Sequence, residues 1–205
     1  MKLWRPFAGK SYPVPRLRID ASACLLGAVA LLLLPLNWIA AAITAAVWHE
    51  CCHWLSLKLC GCTCHSIVVG SGGALMETEI ESPGKEVLCA IAGPLGSLML
   101  IFLFPWIPRI ALCALIQGLY NLIPVYPLDG GRFVRGLLQL LVKNGNYLSF
   151  AKNIEVICVL LLTVLSLYCL IVLRLGYLPL ILASMLLYRV FQRKLSCKQA
   201  QLAVQ

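Results

Sequence analysis

Charged side chains are scarce in this sequence. Of its 205 residues, 12% are Asp, Glu, Lys or Arg, whereas 61% are hydrophobic. A soluble globular domain carries a charged fraction of about 25%. The composition therefore excludes an ordinary soluble domain. It predicts a polytopic membrane protein, because many apolar runs approach the roughly 20 residues that a helix needs to cross a bilayer.

Acidic residues are the scarcer of the two charge types. The chain has 8 acidic and 17 basic residues, which gives a net charge of +9. In a membrane protein, this excess is explained by cytoplasmic loops rich in Lys and Arg and by contact with anionic lipid headgroups. Aromatic and basic residues are not interleaved as they are in many nucleic-acid-binding surfaces. We therefore expect the lipid bilayer, and no nucleic acid, as a partner.

A cleavable signal peptide and a disulfide framework are also missing. The first apolar run begins only near Ala21, after a basic leader, and no small-residue cleavage site follows it. Few of the eleven cysteines fall in predicted external loops, so they are expected to be free. For one cluster, two interpretations stay open. Cys60, Cys62, Cys64 and His65 either bind a second metal ion or are free thiols.

The predicted fold class is an all-α polytopic membrane protein with about six transmembrane helices and a short membrane-associated β-hairpin. A basic cytoplasmic leader (1–20) and a basic cytoplasmic tail (191–205) flank the six-span domain (21–190). With both termini in the cytoplasm, nearly all cations other than Arg109 and Arg174 fall on the cytoplasmic side, as the charge rule requires. The predicted spans are about 21–36, 38–59, 87–106, 110–126, 154–173 and 177–190.

The predicted hairpin occupies about Gly61 to Gly84. Two short runs, Ser66–Val69 and Ala74–Ile80, flank a glycine-rich turn, which is typical of paired strands. Two interpretations stay open. The segment is either a plain cytoplasmic hairpin or an edge strand that pairs with an extended substrate. Whether it gates access to a site is also open.

The second predicted span contains the pattern H-E-x-x-H, formed by His49, Glu50 and His53. On a helix, residues four apart share a face, so the two imidazoles lie side by side as zinc ligands would. Glu50 follows His49 directly and could act on a water bound to that metal. Ionisable groups within a membrane span cost a few kcal/mol each and are usually functional. Two of the three histidines of the chain are in this motif.

A carboxylate that could complete such a site follows the fourth predicted span. Pro124 and Pro127 break the helix before Asp129, and two glycines follow it. Broken backbone at membrane depth is tolerated where it lines a cavity, so Asp129 could reach the histidine pair as a third ligand. The alternative is an ordinary loop aspartate at the interface. Asn121 is a candidate hydrogen-bond donor to the substrate backbone or to a developing oxyanion.

Taken together, these motifs resemble the site-2 protease family of intramembrane zinc metalloproteases. The similarity rests on the H-E-x-x-H pattern, on Gly93-Pro94, and on Asn121-x-x-Pro124 followed by Asp129-Gly130. It points to the branch typified by stage IV sporulation protein FB. That branch places the two catalytic motifs in the second and fourth of six spans.

The resemblance implies cleavage of a membrane-tethered protein in or near its transmembrane segment, in the bacterial cytoplasmic membrane. In the sporulation branch, that substrate is a pro-sigma factor. Regulatory membrane proteins are further expected partners, and the oligomeric state stays open. The implied roles are catalysis by Glu50, Zn²⁺ ligation by His49, His53 and Asp129, and substrate binding by Asn121, Pro124, Gly93 and Pro94.

The sequence departs from the family pattern at three places. Ser97 stands where members often carry asparagine, shortly after the Gly-Pro pair. The 15 residues after position 190 leave no room for the nucleotide-sensing CBS domain of the sporulation branch, so we expect none here. Cys51 and Cys52 fill the variable positions of the histidine motif, and we interpret them as inert.

Two other functions use similar residues. A membrane metal transporter or sensor would also place histidines and carboxylates within the bilayer. A catalytically silent family member could act as a scaffold. The substitution Glu50→Gln separates them, because a protease would lose turnover while it keeps its zinc.

Overall fold

The computed structural model shows a mainly helical chain with one small sheet. It describes residues 16–190 except 71–72, 81, 143–145, 175, 178, 182, 185, 188 and 189. The elements in chain order are β1 (Arg16–Ile19), α1 (Ala21–Leu33), α2 (Leu36–Leu59), β2 (Thr63–Gly70), β3 (Gly73–Glu79), α3 (Pro83–Met99, followed by a 3-10 turn, Leu100–Leu103), α4 (Pro108–Asn121), α5 (Asp129–Leu141) and α6 (Tyr147–Ile171).

Two helical segments are long and apolar enough to cross a membrane. They are Pro83–Leu103, with 21 residues, and Tyr147–Ile171, with 25 residues. Helix α1 is apolar, but its 13 residues fall short of the roughly 20 that a span needs. Six spans are therefore not confirmed within the described residues. The predicted tail and most of the predicted leader lie outside them, as do several positions of the predicted sixth span.

The predicted hairpin is confirmed, and it belongs to a three-stranded sheet. Strands β2 and β3 pair antiparallel, with an irregular register between Cys64 and Ser66. Strand β1 adds to the other side of β2 in parallel, in the order β1-β2-β3. This strand lies in the predicted leader and was not foreseen. The alternation of basic and apolar residues over Arg16–Ile19 is the period-two signal that could have predicted it.

The chain divides into two compact units, Met1–Leu122 and Ile123–Gln205. In the first unit, α2, α3 and α4 pack against one another. Small buried side chains line these helices, and such residues allow backbones to approach closely within a membrane bundle. The buried small residues of this unit include Ala45, Ala90, Gly93, Gly96, Ser97, Ala111, Ala114 and Gly118.

The end of α4 differs from the predicted fourth span. The helix stops at Asn121 rather than near residue 126, and Pro124 follows within three residues. A proline disfavours helical backbone at the residue before it and offers no amide hydrogen of its own, which explains the early end.

The second unit contains the loop from Ile123 to Leu128, then α5, which packs against α6. The stretch between the predicted fourth and fifth spans is largely helical, because α5 runs from Asp129 to Leu141. Asp129 is thus the first residue of a helix and not part of an irregular loop.

Candidate metal centre

The two histidines of the H-E-x-x-H motif form a close pair on α2. Both side chains are buried, with 2% of His49 and 7% of His53 exposed. Their Nε2 atoms are 3.2 Å apart, and the ring planes are nearly perpendicular at 79°. The helical repeat alone brings residues 49 and 53 to one face. The short Nε2–Nε2 distance further requires that each ring be held in a fixed rotation.

Helix α3 supplies the groups that hold both rings. The hydroxyl oxygen of Ser97 lies 2.8 Å from Nδ1 of His49, and the backbone carbonyl of Cys89 lies 2.7 Å from Nδ1 of His53. Both Nδ1 atoms therefore face α3, and both Nε2 atoms face each other. Metal-binding histidines are held in this way, with the second ring nitrogen bonded to a hydroxyl, carboxylate or carbonyl.

One of these contacts has a fixed direction. A carbonyl can only accept, so Nδ1 of His53 donates and its Nε2 carries a lone pair when the ring is neutral. Where the Ser97 hydroxyl accepts from His49, the second Nε2 also carries a lone pair. In that tautomer of His49, two lone pairs lie 3.2 Å apart, and they repel each other unless a cation lies between them. The pair therefore suits a metal ion.

Glycines allow α3 to approach the histidines this closely. A Cβ atom added at Gly93 would overlap the imidazole of His53. One turn further along α3, a Cβ atom at Gly96 would overlap the thiol of Cys52, and the carbonyl of Gly96 accepts a 2.8 Å hydrogen bond from Nε1 of Trp48. The backbone of α3 thus forms one wall of the histidine pair.

Three other predicted site residues are placed as follows. Glu50 is half-buried on α2, next to His49. Asn121 is the last residue of α4, and its side-chain nitrogen lies 3.4 Å from Nε2 of His49. Pro94 is fully buried inside α3, directly after Gly93. The first unit thus brings Asn121 to the histidine pair, while its predicted role toward substrate stays a prediction.

Asp129 and Pro124 belong to the second unit. Asp129 opens α5 and is 8% exposed, with Nη1 of Arg132 at 3.9 Å from its Oδ1 atom. Pro124 is half-buried in the preceding loop, where Val125 is fully buried.

The first unit thus offers two buried imidazoles, His49 and His53, and the second unit offers one buried carboxylate, Asp129. Two imidazoles and one carboxylate are a common ligand set of catalytic zinc, which keeps a fourth position open. The residues present therefore fit the predicted zinc ion.

The possible second metal site, Cys60, Cys62, Cys64 and His65, does not form a metal-binding group within the described residues. The thiol of Cys62 points toward the carbonyl of Cys60 at 3.9 Å, and that of Cys64 points toward the carbonyl of Ser66 at 3.7 Å. Cys62 is buried with Leu57 and Cys89 in an apolar cluster. No described cysteine is in a disulfide, and Cys60 and Cys64 pack against the same apolar cluster.

Sequence reasoning missed the function of Ser97 and the carbonyl of Cys89. Ser97 attracted notice only as a departure from the family pattern. Its position four residues after Gly93 places both on one face of α3, which is the signal that could have linked it to the histidines. A backbone carbonyl carries no comparable signal, because every residue has one.

The geometry of the site agrees with the comparisons to known proteins. No protein-family model matches the chain. A zinc metalloprotease of Methanocaldococcus jannaschii is 32% identical in an alignment of 123 residues that covers 53% of this chain and 35% of that protein. The chain thus matches well under half of that relative's length.

A solved structure described as a site-2 protease from Methanocaldococcus jannaschii is also similar. It aligns with a TM-score of 0.62 and 19% identity, over 86% of this chain and 89% of that chain. This likeness shows that the two chains share a fold. Both comparisons confirm the resemblance to site-2 proteases that the motifs predict.

Proposed function

We propose that this chain is an intramembrane zinc metalloprotease that cleaves a membrane-tethered protein in or near its transmembrane segment. The observation that carries the proposal is the arrangement of the H-E-x-x-H imidazoles. Their Nε2 atoms face each other at 3.2 Å, and each Nδ1 atom is hydrogen-bonded to a group of α3, either the Ser97 hydroxyl or the Cys89 carbonyl. The named zinc metalloprotease with 32% identity supports the same activity.

His49, His53 and Asp129 are the proposed zinc ligands. A zinc ion held by them would act as a Lewis acid and would lower the pKa of a water ligand to about 7. Glu50 follows His49 on α2, so its carboxylate is the proposed general base for that water. It would then return the proton to the leaving amine.

Asn121 is the proposed donor to the substrate carbonyl, because its side-chain nitrogen lies near Nε2 of His49. A donor at this point could stabilise the negative charge that develops on the carbonyl oxygen. Gly93, Pro94 and Pro124 are proposed to border the substrate path. Gly93 has a second role in this proposal, since its missing side chain leaves room for the imidazole of His53.

The membrane is the proposed location of the reaction. The segment Pro83–Leu103 contains the groups that hold both histidines and is long and apolar enough to cross a bilayer. Helix α6 is a second such segment and exposes much of its apolar surface, including Leu160, Leu161 and Val164. Lipid would cover this surface. We further propose that both termini lie in the cytoplasm, on the basis of the charge distribution. A bacterial cytoplasmic membrane is the narrower proposal, and it rests on the resemblance to the sporulation branch.

The proposed substrate class is a single-span or otherwise membrane-tethered protein. A pro-sigma factor or another regulatory factor is the narrower proposal, and it rests on the resemblance to the sporulation branch. The exposed edge of β3 is the proposed place where an extended substrate segment could pair with the sheet, since β3 is the last strand in the order β1-β2-β3.

The test is co-expression with tethered reporter proteins, in which wild type is compared with Glu50→Gln and Asp129→Ala. Wild type should release a soluble fragment, and both variants should release none, while Glu50→Gln retains zinc. A metal transporter would instead move zinc across vesicles without cleavage of any reporter. Release of the same fragment by all three proteins would contradict the proposed mechanism.

A further inference from the structure

The second unit contains a buried carboxylate that the proposed reaction does not use. Glu155 lies in α6 and is only 4% exposed. An ionisable side chain within an apolar helix that could span a membrane is costly, and it is rarely retained without a role. The contacts of Glu155 indicate what this role is.

Each carboxylate oxygen of Glu155 contacts a polar group near the start of α5. Oε1 accepts a 2.9 Å hydrogen bond from the backbone N–H of Tyr126, in the loop that leads to Asp129. Oε2 lies 3.5 Å from Nη2 of Arg135, on the second turn of α5. One side chain therefore holds both the loop before Asp129 and the helix that Asp129 opens.

The loop and the helix also pack directly against each other. The guanidinium of Arg135 lies over the ring of Tyr126, 4.0 Å from its centre. A Cβ atom added at Gly131 would overlap the backbone of Val125 and Tyr126. Gly131 is two residues after Asp129, so the first turn of α5 rests on the loop that Glu155 fixes.

We propose that Glu155 is a positioning residue for Asp129. It fixes the loop through the Tyr126 amide and α5 through Arg135, so that the Asp129 carboxylate is held in one orientation for the metal. The inference rests on the proposed function, because it takes Asp129 to be a zinc ligand. It adds a residue outside the family motifs, in a helix that contributes none of the proposed ligands.

The experiment is a double-mutant cycle on the full chain in detergent, with zinc affinity measured by competition with a chelator. The cycle compares wild type, Glu155→Ala, Asp129→Ala and the double variant. Glu155→Ala should weaken zinc binding about tenfold or more, as loss of an outer-shell partner does. In the Asp129→Ala background, the same change should have no further effect, because the ligand that Glu155 orients is gone.

Two more variants separate orientation from stability. Glu155→Gln keeps an oxygen for the Tyr126 amide but loses the charge opposite Arg135, so zinc binding should weaken less than in Glu155→Ala. If Glu155→Ala does not fold, Glu155→Gln takes its place in the double-mutant cycle. Ser166→Ala is the matched control, because Ser166 is a buried polar residue of α6 that bonds to the carbonyls of Leu162 and Pro179. Its zinc affinity should equal that of wild type.

Either of two results would overturn the positioning role. One is wild-type zinc affinity in both Glu155 variants. The other is that Glu155→Ala weakens zinc binding equally with and without the Asp129 carboxylate, as the loss of a purely structural residue would. Wild-type affinity in Asp129→Ala is a different outcome, since it removes Asp129 as a ligand and so rejects the proposed function itself.

Discussion

A methyl group at Gly93 should disable the histidine pair. In Gly93→Ala, the new Cβ atom would lie 2.6 Å from both Cδ2 and Cε1 of His53, and closer still to Nε2. Two carbon atoms in ordinary contact are about 3.5 to 4.0 Å apart. Either the imidazole or the α3 backbone must therefore move by about 1 Å.

The ring cannot move freely, because two contacts fix it. Its Nδ1 atom bonds to the Cys89 carbonyl on the same helix α3, and its Nε2 atom lies 3.2 Å from that of His49. Added volume in a packed site costs about 1 to 3 kcal/mol. A 1 Å misplacement of a catalytic group costs on the order of 100-fold in rate. We expect Gly93→Ala to fold with reduced stability, to bind zinc 10 to 100-fold more weakly, and to lose at least 99% of its cleavage activity.

Gly84→Ala is the matched control. Gly84 lies in the first turn of the same helix, and a Cβ atom there would meet nothing within 4 Å. Alanine favours a helix over glycine by up to about 1 kcal/mol, so this variant should be as stable as wild type or slightly more stable. Its zinc affinity and its activity should not change.

The assay for all three proteins is chelator competition for zinc, thermal unfolding in the same detergent, and cleavage of one tethered reporter. Wild-type zinc affinity and wild-type cleavage in Gly93→Ala would refute the reasoning, because the overlap with His53 would then be harmless.

Three further predictions concern residues that form or support the proposed zinc site. Ser97→Ala removes the hydroxyl that bonds Nδ1 of His49, so zinc affinity should fall 10 to 100-fold, whereas Thr44→Ala, at an exposed position of α2, should not change it. Glu50→Gln should bind one zinc per chain, as wild type does, and should show no cleavage above background; residual cleavage at the wild-type rate would exclude Glu50 as the base. Gly131→Ala should lower the thermal unfolding temperature and weaken zinc binding, because its methyl group would overlap the loop before α5; an unchanged unfolding temperature would contradict this.

The sequence was most informative where a repeat imposes the geometry. The helical repeat predicted the adjacency of His49 and His53, and α2 runs from Leu36 to Leu59, close to the predicted span 38–59. Alternation and glycine predicted the β2–β3 hairpin. These features depend on local backbone preferences, which neighbouring residues determine.

Tertiary contacts could not be derived in the same way. The bond from Ser97 to His49 joins residues 48 positions apart on different helices, and the partner of His53 is a carbonyl. Asp129 was expected in broken backbone after the fourth span, yet it opens a new helix, α5, eight residues after α4 stops at Asn121. Glu155 carried a signal that was not used, namely a carboxylate within an apolar run.

The central claim is that two imidazoles and the Asp129 carboxylate hold one zinc ion. The most direct measurement is X-ray absorption at the zinc edge on the purified full chain in detergent. We predict one zinc per chain, with two histidine nitrogens and light oxygen ligands at about 2.0 to 2.2 Å, and an altered oxygen shell with weaker binding in Asp129→Ala. A shell with sulfur ligands at about 2.3 Å, or an Asp129→Ala spectrum and affinity equal to wild type, would contradict the account.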